Sequence, residues 1–376
     1  MNSPLSFGSL ARKATACGAV LLASAAHAQF YSVTDLTALV ANSEGGSASG
    51  INANGAVVGN YSVGGVTQGF VYQGGVIQAV GPAGALPSKI NLSGQIVGNI
   101  YDFSQPVPTQ GYLLNGGTFT NLSMQPGAQK GTYAADINNA GLVSGGVYTQ
   151  ANLSGVHYLA GLYNGTSWTT IGTLKGDTDS AAAAMNNLGE VVGYSATIST
   201  QRGFIYSGGV MSQLESLIPQ GAATPSAIND AGMVAGSAEV STGGQHAVYW
   251  EGGTIHDLGT LGGTGSIANG INLAGDIVGD ADILAGNQGH AFIDRAGVML
   301  DLNSLLVGPS GFSYLQEAFA INDAGMIVGD GVMADGSVHA FLLSPVPEPS
   351  QWAMLLVSIP LVGVVATRRR KIANQR

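Results

Sequence analysis

The side chains of this chain that could do chemistry are histidines and paired carboxylates, and the histidines follow a repeated pattern. His246, His290 and His339 occupy one position of a recurring phrase ("HAVYWEGG", "HAFIDRAG", "HAFLLS"), where other copies are aligned with glycine. A residue that recurs at one structural position more often packs or caps a strand than catalyses. Equivalent histidines around a ring could also converge on a metal ion, which requires short distances between them. We expect the structural role.

Carboxylates occur in pairs on glycine-rich segments. The pairs are Asp177 with Asp179, Asp280 with Asp282, and Asp330 with Asp335. Hard oxygen ligands on such segments could hold calcium, and the first two pairs are the calcium candidates. No pair has the spacing of a full calcium-binding loop, so solvated loop acids are the favoured interpretation, and no cofactor is predicted. Two carboxylates flanking a sugar could hydrolyse a glycosidic bond, but no pair is singled out for that role.

Known catalytic templates are missing from the sequence. There is no G-x-S-x-G elbow, no G-x-x-x-x-G-K phosphate loop and no H-E-x-x-H helix. Trp168, Trp250 and most tyrosines fall at strand positions and are expected in the core, while a few aromatic rings at loop tips could stack on sugars. No catalytic residue is predicted, and the chain is expected not to be an enzyme.

The elements that position these side chains come from a sequence repeat. "AINDAGMIVGDG", which starts at Ala320, has six earlier counterparts, and their shared asparagines are separated by 39, 47, 48, 43, 43 and 50 residues. Each copy has the form Asn-x-x-Gly, which suits a tight hairpin turn because Asn bonds its own backbone and Gly accepts a positive φ. The seven pairs are Asn52 and Gly55, Asn91 and Gly94, Asn138 and Gly141, Asn186 and Gly189, Asn229 and Gly232, Asn272 and Gly275, and Asn322 and Gly325.

Each repeat holds four segments of strand length, which indicates an antiparallel four-stranded blade. The last unit stops after "HAFLLS" and lacks a fourth segment, whereas "FYSVTDLTALV" from Phe30 resembles that segment and precedes the first turn. We therefore predict an all-β fold: a seven-bladed β-propeller over residues 29–345, closed by its N-terminal strand, which removes exposed sheet edges. The alternative is a β-solenoid, whose coils usually need about half this period and whose open ends need caps.

The charge balance excludes one class of partner. Residues 29–345 carry 21 acidic and five basic side chains, a balance of −16. Such a surface repels phosphate backbones, so we expect no nucleic-acid binding.

The N-terminus has the features of a secretory signal peptide. Arg12 and Lys13 precede the apolar run "ATACGAVLLASAA", and Ala26 and Ala28 stand at the minus-three and minus-one positions of a cut before Gln29. Residues 1–28 are thus expected to be removed by signal peptidase; an N-terminal membrane anchor is less favoured because the apolar run is short. The single cysteine, Cys17, lies inside this segment, so the exported chain would contain no disulfide and no thiol.

The C-terminal segment, residues 346–376, combines three features. Pro347, Glu348 and Pro349 lead into fifteen mainly apolar residues, 352–366, and a basic cluster follows at Arg368, Arg369, Arg370 and Lys371. Fifteen helical residues span roughly 22 Å, and the basic cluster would stay on the cytoplasmic side. The order of these features resembles the PEP-CTERM sorting signal, which implies recognition by an exosortase and cleavage near the Pro-Glu-Pro triplet. The plainer alternative is a simple tail anchor.

The "HAF" and "DLGTLGG" phrases resemble the HAF-repeat family of bacterial extracellular proteins, across nearly all of residues 30–345. That resemblance brings no established activity. We hypothesise an exported, non-enzymatic binding or structural protein, transiently anchored in the inner membrane and then at the cell surface or outside the cell. The PEP-CTERM resemblance implies exopolysaccharide or biofilm as partner. The alternative is a secreted glycoside hydrolase or lyase, which a broken repeat would favour, and the irregular third unit, residues 145–179, is the first place to look.

Overall fold

The computed structural model describes residues 29–102, 104, 109–152, 155–284 and 288–346. The predicted signal segment up to Ala28, the Pro-Glu-Pro triplet, the apolar run 352–366 and the basic cluster lie outside the described residues. Within the described part the secondary structure is β-strand and three short 3-10 turns, Thr37–Leu39, Leu122–Met124 and Leu302–Leu305. The all-β prediction is confirmed. None of the helical segments in this part of the chain is long and apolar enough to cross a bilayer.

The strands follow one another in short, regular steps. The first half comprises β1 (Tyr31–Asp35), β2 (Gly45–Ile51), β3 (Val57–Val63), β4 (Val66–Gln73), β5 (Val76–Val80), β6 (Ala85–Ile90), β7 (Ile96–Tyr101), β8 (Thr109–Asn115), β9 (Thr118–Asn121), β10 (Gly131–Ile137), β11 (Val143–Asn152), β12 (Gly155–Tyr163) and β13 (Trp168–Gly172). The second half comprises β14 (Asp179–Met185), β15 (Val191–Ala196), β16 (Gln201–Ser207), β17 (Val210–Gln213), β18 (Ala223–Ile228), β19 (Val234–Glu239), β20 (Gln245–Glu251), β21 (Thr254–Gly259), β22 (Gly262–Ile271), β23 (Ile277–Ile283), β24 (Gly289–Arg295), β25 (Val298–Asp301), β26 (Phe312–Ile321), β27 (Ile327–Met333) and β28 (Val338–Pro345).

These strands form antiparallel four-stranded sheets, as predicted. Consecutive strands are neighbours in the sheets β2–β5, β6–β9, β10–β13, β14–β17, β18–β21 and β22–β25. A single parallel bridge between Gln110 and Thr132 links the second of these sheets to the third. The remaining sheet has the order β1-β28-β27-β26, so its outer strand comes from the N-terminal end of the described chain. Tyr31 lies opposite Pro345, and Asp35 lies opposite Phe341.

A bulge and a glycine shape the inner half of each sheet. The first strand shifts register just before its Asn-x-x-Gly turn, as between Ala48 and Gly50 in β2 and between Ala268 and Gly270 in β22. The bulge presses a carbonyl of the first strand against the second strand, where a Cβ on Gly59 would overlap the carbonyl oxygen of Ser47. The same overlap would occur at the corresponding glycine of every sheet. The repeated "VG" step is thus a close-approach requirement.

The antiparallel order gives the molecule two distinct faces. The Asn-x-x-Gly turns between the first and second strands and the turns between the third and fourth strands lie on one face, called here the turn face. The hairpins between the second and third strands and the links from one sheet to the next lie on the opposite face, called here the connection face.

The core lies between neighbouring sheets. One cluster joins Ala48, Val57 and Phe70 of the sheet β2–β5 to Val328 and Leu342 of the sheet that contains β1. The aromatic residue of the third strand supplies the bulk in several sheets; Phe70, Phe204, Phe292 and Phe341 are at most 1% exposed. Burial of such aromatic rings contributes about 1.5–3 kcal/mol each. The sheets are therefore held to one another by face-to-face apolar packing.

Candidate functional site

The repeated asparagine first organises its own turn. Asn52 Oδ1 accepts the backbone N–H groups of Asn54 and Ala56, both at 3.0 Å. Gly55 N–H donates to the carbonyl of Asn52, with φ of +77°, and the seven turn glycines all have φ between +74° and +85°. Glycine adopts this conformation without steric cost.

The same asparagine also binds the neighbouring sheet through its amide nitrogen, which the sequence analysis did not anticipate. Asn229 Nδ2 donates to the carbonyl oxygen of Asn272 at 2.9 Å, and Asn322 Nδ2 donates to that of Asn52 at 3.0 Å. The other bonds of this type run from Asn52 to Asn91, from Asn91 to Asn138 and from Asn186 to Asn229, at 3.0–3.1 Å. All seven asparagines are buried, between 3% and 7% exposed. Aspartate would form the same turn but lacks this donor, so the absence of Asp from all seven copies was the available signal.

The residue after the asparagine extends this contact at the surface of the turn face. The side-chain oxygen of Asn139 accepts the backbone N–H of Leu92 at 2.9 Å. The backbone N–H of Asn139 in turn donates to the side-chain oxygen of Asn187 at 2.9 Å. The carboxylate of Asp230 accepts the backbone N–H of Asn187, and the carboxylate of Asp323 accepts that of Leu273, both at 2.8 Å. Asn139, Asn187 and Asp323 border a cavity of about 210 Å³ on the turn face. Their polar atoms are engaged in links between sheets, which indicates a structural function.

The three repeat histidines bind aspartates of the adjacent fourth strand. His246 Nδ1 lies 3.0 Å from Asp257, and His290 Nδ1 lies 2.8 Å from Asp301. His339 Nδ1 lies 2.8 Å from Asp35, which joins the last described strand to the first. Each pair connects two strands of one sheet, in line with the expected structural role.

The strand register corrects the alignment of these histidines. Phe70 and Phe292 each lie opposite the close-approach glycine of their own sheet, so these two residues are equivalent. His290, two residues before Phe292, therefore corresponds to Gln68, and Ala291 corresponds to Gly69, the first glycine of the earlier phrase. Other copies place Gln110 and Arg202 at the histidine position. The side-chain oxygen of Gln110 accepts the amide of Asn121 at 2.9 Å, and the guanidinium of Arg202 donates to the side-chain oxygen of Gln213 at 3.1 Å. In these sheets the position holds a polar pair between the third and fourth strands, whereas Leu159 occupies it in β12.

The calcium candidates are engaged by protein groups. Asp177 forms an ion pair with Arg202 at 2.8 Å, and its side chain is 3% exposed. Asp179 lies 3.1 Å from His157 Nδ1. Burial acts to raise the pKa of Asp179, but hydrogen bonds from Thr178, the N–H of Tyr158 and His157 outweigh it, and the pKa is lowered. Within the described ranges no group of three or more His, Cys, Asp or Glu side chains is arranged to hold a metal ion.

The remaining candidate carboxylates are divided between a buried cluster and the surface. Burial raises the pKa of Asp280 to about 6, with a further contribution from Asp282. Burial raises the pKa of Glu317 and of Asp330 to about 7, and the two residues are register partners on β26 and β27. Asn269 Nδ2 donates to Glu317 Oε1 at 3.1 Å. The surface residue is Asp335, whose pKa is lowered by hydrogen bonds from Ser337.

The regular pattern breaks in the sheet β10–β13, as the irregular third unit suggested. β11 and β12 have ten and nine residues and form the longest hairpin of the described strands. Near it, Tyr158 and Tyr194 share a hydrogen bond of 2.9 Å between their hydroxyls, and the rings of Tyr148 and Tyr158 pack edge to face with centroids 6.1 Å apart. Trp168 is buried as predicted, and its indole N–H donates to the carbonyl of Leu122.

Next to this break, the connection face carries a cavity of about 880 Å³. It is lined by Lys175, Asp177, Thr200, Arg202, Gln213 and further residues up to Gly221. Asp177 and the carbonyl of Lys175 hold the guanidinium of Arg202 in the wall, at 2.8 and 3.1 Å. The size lies within the range of small-molecule sites, and the wall offers several donors and acceptors. Sequence reasoning missed this site because Asp177 and Arg202 are 25 residues apart and meet only through the sheet order.

Comparison with known proteins gives the fold. No protein-family model matches the chain, and no curated protein matches it. It is similar to a solved puromycin-hydrolyzing peptidase of Mycobacterium tuberculosis, with 12% identity, a TM-score of 0.51, and coverage of 83% of this chain and 54% of that chain. It thus spans about half the length of that peptidase.

Two further solved structures show lower similarity. The β-propeller domain of the Trilobed protease from Pyrococcus furiosus has 10% identity, a TM-score of 0.41, and coverage of 75% of this chain and 100% of that one. The putative TolB from Agrobacterium tumefaciens has 12% identity, a TM-score of 0.46, and coverage of 72% and 95%. At these identities any likeness concerns architecture, not activity. The chain is an all-β protein of four-stranded antiparallel sheets, and the solved structures similar to it include a β-propeller domain.

Proposed function

We propose that this chain is an exported, non-enzymatic binding protein of the cell surface or extracellular matrix, built as a seven-bladed propeller that its N-terminal strand closes. The ligand is a saccharide segment of the exopolysaccharide, which binds at the 880 Å³ cavity beside Arg202. The proposal depends chiefly on one observation: the cavity lies next to the irregular sheet β10–β13, and Arg202 in its wall replaces the histidine of the regular repeats. A binding site departs from the pattern that the repeated scaffold obeys.

The chemistry of the cavity favours an uncharged, hydroxyl-rich ligand. The guanidinium of Arg202 and the amide of Gln213 are planar groups held by hydrogen bonds, and Thr200 adds a hydroxyl at the rim. Such fixed donors and acceptors suit sugar hydroxyls. Arg202 is already paired with Asp177, and the balance of −16 over residues 29–345 disfavours a polyanion at long range.

Closure is supported by contacts between the two ends of the described chain. β1 pairs with β28 over five residues, His339 binds Asp35 at 2.8 Å, and Ala340 N–H donates to Thr37 Oγ1 at 2.9 Å. Deleting residues 30–40 would leave β28 with an unpaired edge. We expect an insoluble or molten product, measured by solubility and by the cooperativity of thermal unfolding. Native, cooperative melting of the deletion variant would contradict closure.

Binding is tested by co-sedimentation of the exported chain, purified in mild detergent, with the producer's own exopolysaccharide. We expect stable retention, unchanged polymer length over hours, and little effect of added salt because the ligand is uncharged. Shortening of the polymer would overturn the non-enzymatic assignment in favour of a glycoside hydrolase or lyase. Absence of retention would overturn the saccharide ligand.

Variants localise the site. Thr200→Trp fills the cavity, and Arg202→Gln places there the residue that Gln68 and Gln110 supply in other sheets. Thr200→Trp is expected to weaken retention because the indole occupies the space of the ligand. Arg202→Gln is expected to weaken it by about tenfold, the size of one lost charge-assisted hydrogen bond. His290→Gln, the same exchange at the equivalent position of β24, is the matched control and should retain binding. Equal retention by all three variants would show that the polymer binds elsewhere.

A further inference from the structure

Both ends of the described chain lie on the turn face. β28 runs towards this face, and a Cβ on the turn glycine Gly325 would lie 3.4 Å from Cγ of Pro345. The N–H of Val346 donates to the carbonyl of Phe30 at 2.8 Å. Gln29 Nε2 donates to the carbonyl of Val346 at 2.7 Å. The chain therefore leaves the sheet for its C-terminal segment from this face.

The apolar run begins close to that exit. Six residues, 346–351, separate Pro345 from Trp352, where the apolar run starts. Even fully extended, this stretch reaches at most about 25 Å. Hydropathy and charge predict that the apolar run and the basic cluster after it form a membrane segment.

We infer that, while the C-terminal segment holds the protein in the membrane, the turn face is directed towards the bilayer and the connection face, with the cavity beside Arg202, is directed away from it. This inference rests on the anchored export of the proposed function. It adds that the binding site stays accessible in the anchored form. The repeat break lies on the connection face, so the tether and the site are on opposite sides of the molecule.

Electrostatic adsorption does not explain this orientation. The turn face carries carboxylates such as Asp230, Glu251 and Asp323. One of the cations at this end of the sheets, Arg295, is bound to Tyr31 at 2.7 Å and lies 3.5 Å from Asp276. An acidic face is repelled by anionic headgroups. The short tether alone therefore sets which face approaches the lipid, and the orientation should not depend on salt.

The test measures energy transfer from a dye on a single cysteine to a headgroup-labelled lipid. Ser93→Cys lies in an exposed Asn-x-x-Gly turn, and Ser199→Cys lies in the exposed hairpin between β15 and β16 on the connection face. Because Cys17 falls in the predicted signal peptide, the exported chain has no competing thiol. The exported chain, with its C-terminal segment intact, is reconstituted in phosphatidylcholine vesicles, and melting curves confirm that both variants fold.

We expect transfer at position 93 to exceed that at position 199 by about twofold or more, because the tether limits one face to within about 25 Å of the bilayer. The ratio should persist at high salt. Flotation of the protein with the vesicles but equal transfer, or greater transfer at position 199, would overturn the orientation and leave the proposed function standing. Failure to float would overturn both the anchoring and this inference. Deletion of residues 352–376 is the control for flotation.

Discussion

Two groups of sheets use the same repeat positions differently. The first group comprises β18–β21, β22–β25 and β26–β28 with β1, and the second comprises β10–β13 and β14–β17. In the first group a histidine of the third strand always meets an aspartate of the fourth, at 2.8–3.0 Å. In the second group the position is held by Leu159 in β12 and by Arg202 in β16, and Arg202 binds Asp177, which precedes the first strand of its sheet. The comparison distinguishes side chains that link the strands of one sheet from side chains that line the cavity and could bind a ligand.

The strongest test of this comparison targets the asparagine shared by every sheet. Asn229→Asp keeps the turn acceptor but loses the donor to Asn272 and buries a charge beside a carbonyl. We expect the free energy of unfolding to fall by about 3–5 kcal/mol, measured by urea unfolding. Asn139→Asp is the matched control. Its acceptor role at the exposed surface survives the change, so an effect within about 0.5 kcal/mol is expected. Similar effects for both would refute the role of the amide donor.

A second test uses the carboxylates between the regular sheets. The pKa of Glu317 is raised to about 7, and the pKa of Asp280 to about 6, above their ordinary values near 4. The folded state therefore binds more protons than the unfolded state between pH 5 and pH 8, and the free energy of unfolding falls as pH rises through this window. We expect Glu317→Gln to reduce the fall by about 1–2 kcal/mol, after allowance for partial exposure.

This pH dependence is measured by thermal unfolding at pH 5 and pH 8. Glu251→Gln removes an exposed carboxylate from the neighbouring sheet and serves as the control. An unchanged slope in Glu317→Gln, or stability that rises with pH in the unmodified protein, would show that this cluster is not protonated in the folded state.

The smallest effect concerns the polar pairs themselves. The double variant His290→Gln with Asp301→Asn installs in β24 and β25 the pair that Gln110 and Asn121 form in another sheet. Because a neutral hydrogen-bonded pair replaces the original one, we expect a loss of about 1 kcal/mol or less in the free energy of unfolding. A loss of several kcal/mol would mean that histidine has a function at this position beyond linking two strands.

The sequence predicted the parts of the molecule that are local and repeated. The Asn-x-x-Gly spacing predicted the turns, and four strand-length segments per unit predicted the four-stranded sheets. The alignment of histidine with glycine was wrong because it matched the start of each phrase, whereas the strand register aligns Phe70 with Phe292. Contacts that occur only once in the described molecule could not be predicted in the same way. Asp177 and Arg202 each look ordinary in sequence, and only the sheet order brings them together.

The asparagine contacts also have a direction. In five of the seven repeats the asparagine donates its amide to the carbonyl of the next repeat, as in a head-to-tail interface between subunits. A chain that has folded only some of its repeats therefore ends in one free donor and one free acceptor, which are complementary to those of another partial copy. The pairing of β1 with β28 occupies the sheet edge at which such an exchange of strands between molecules would start.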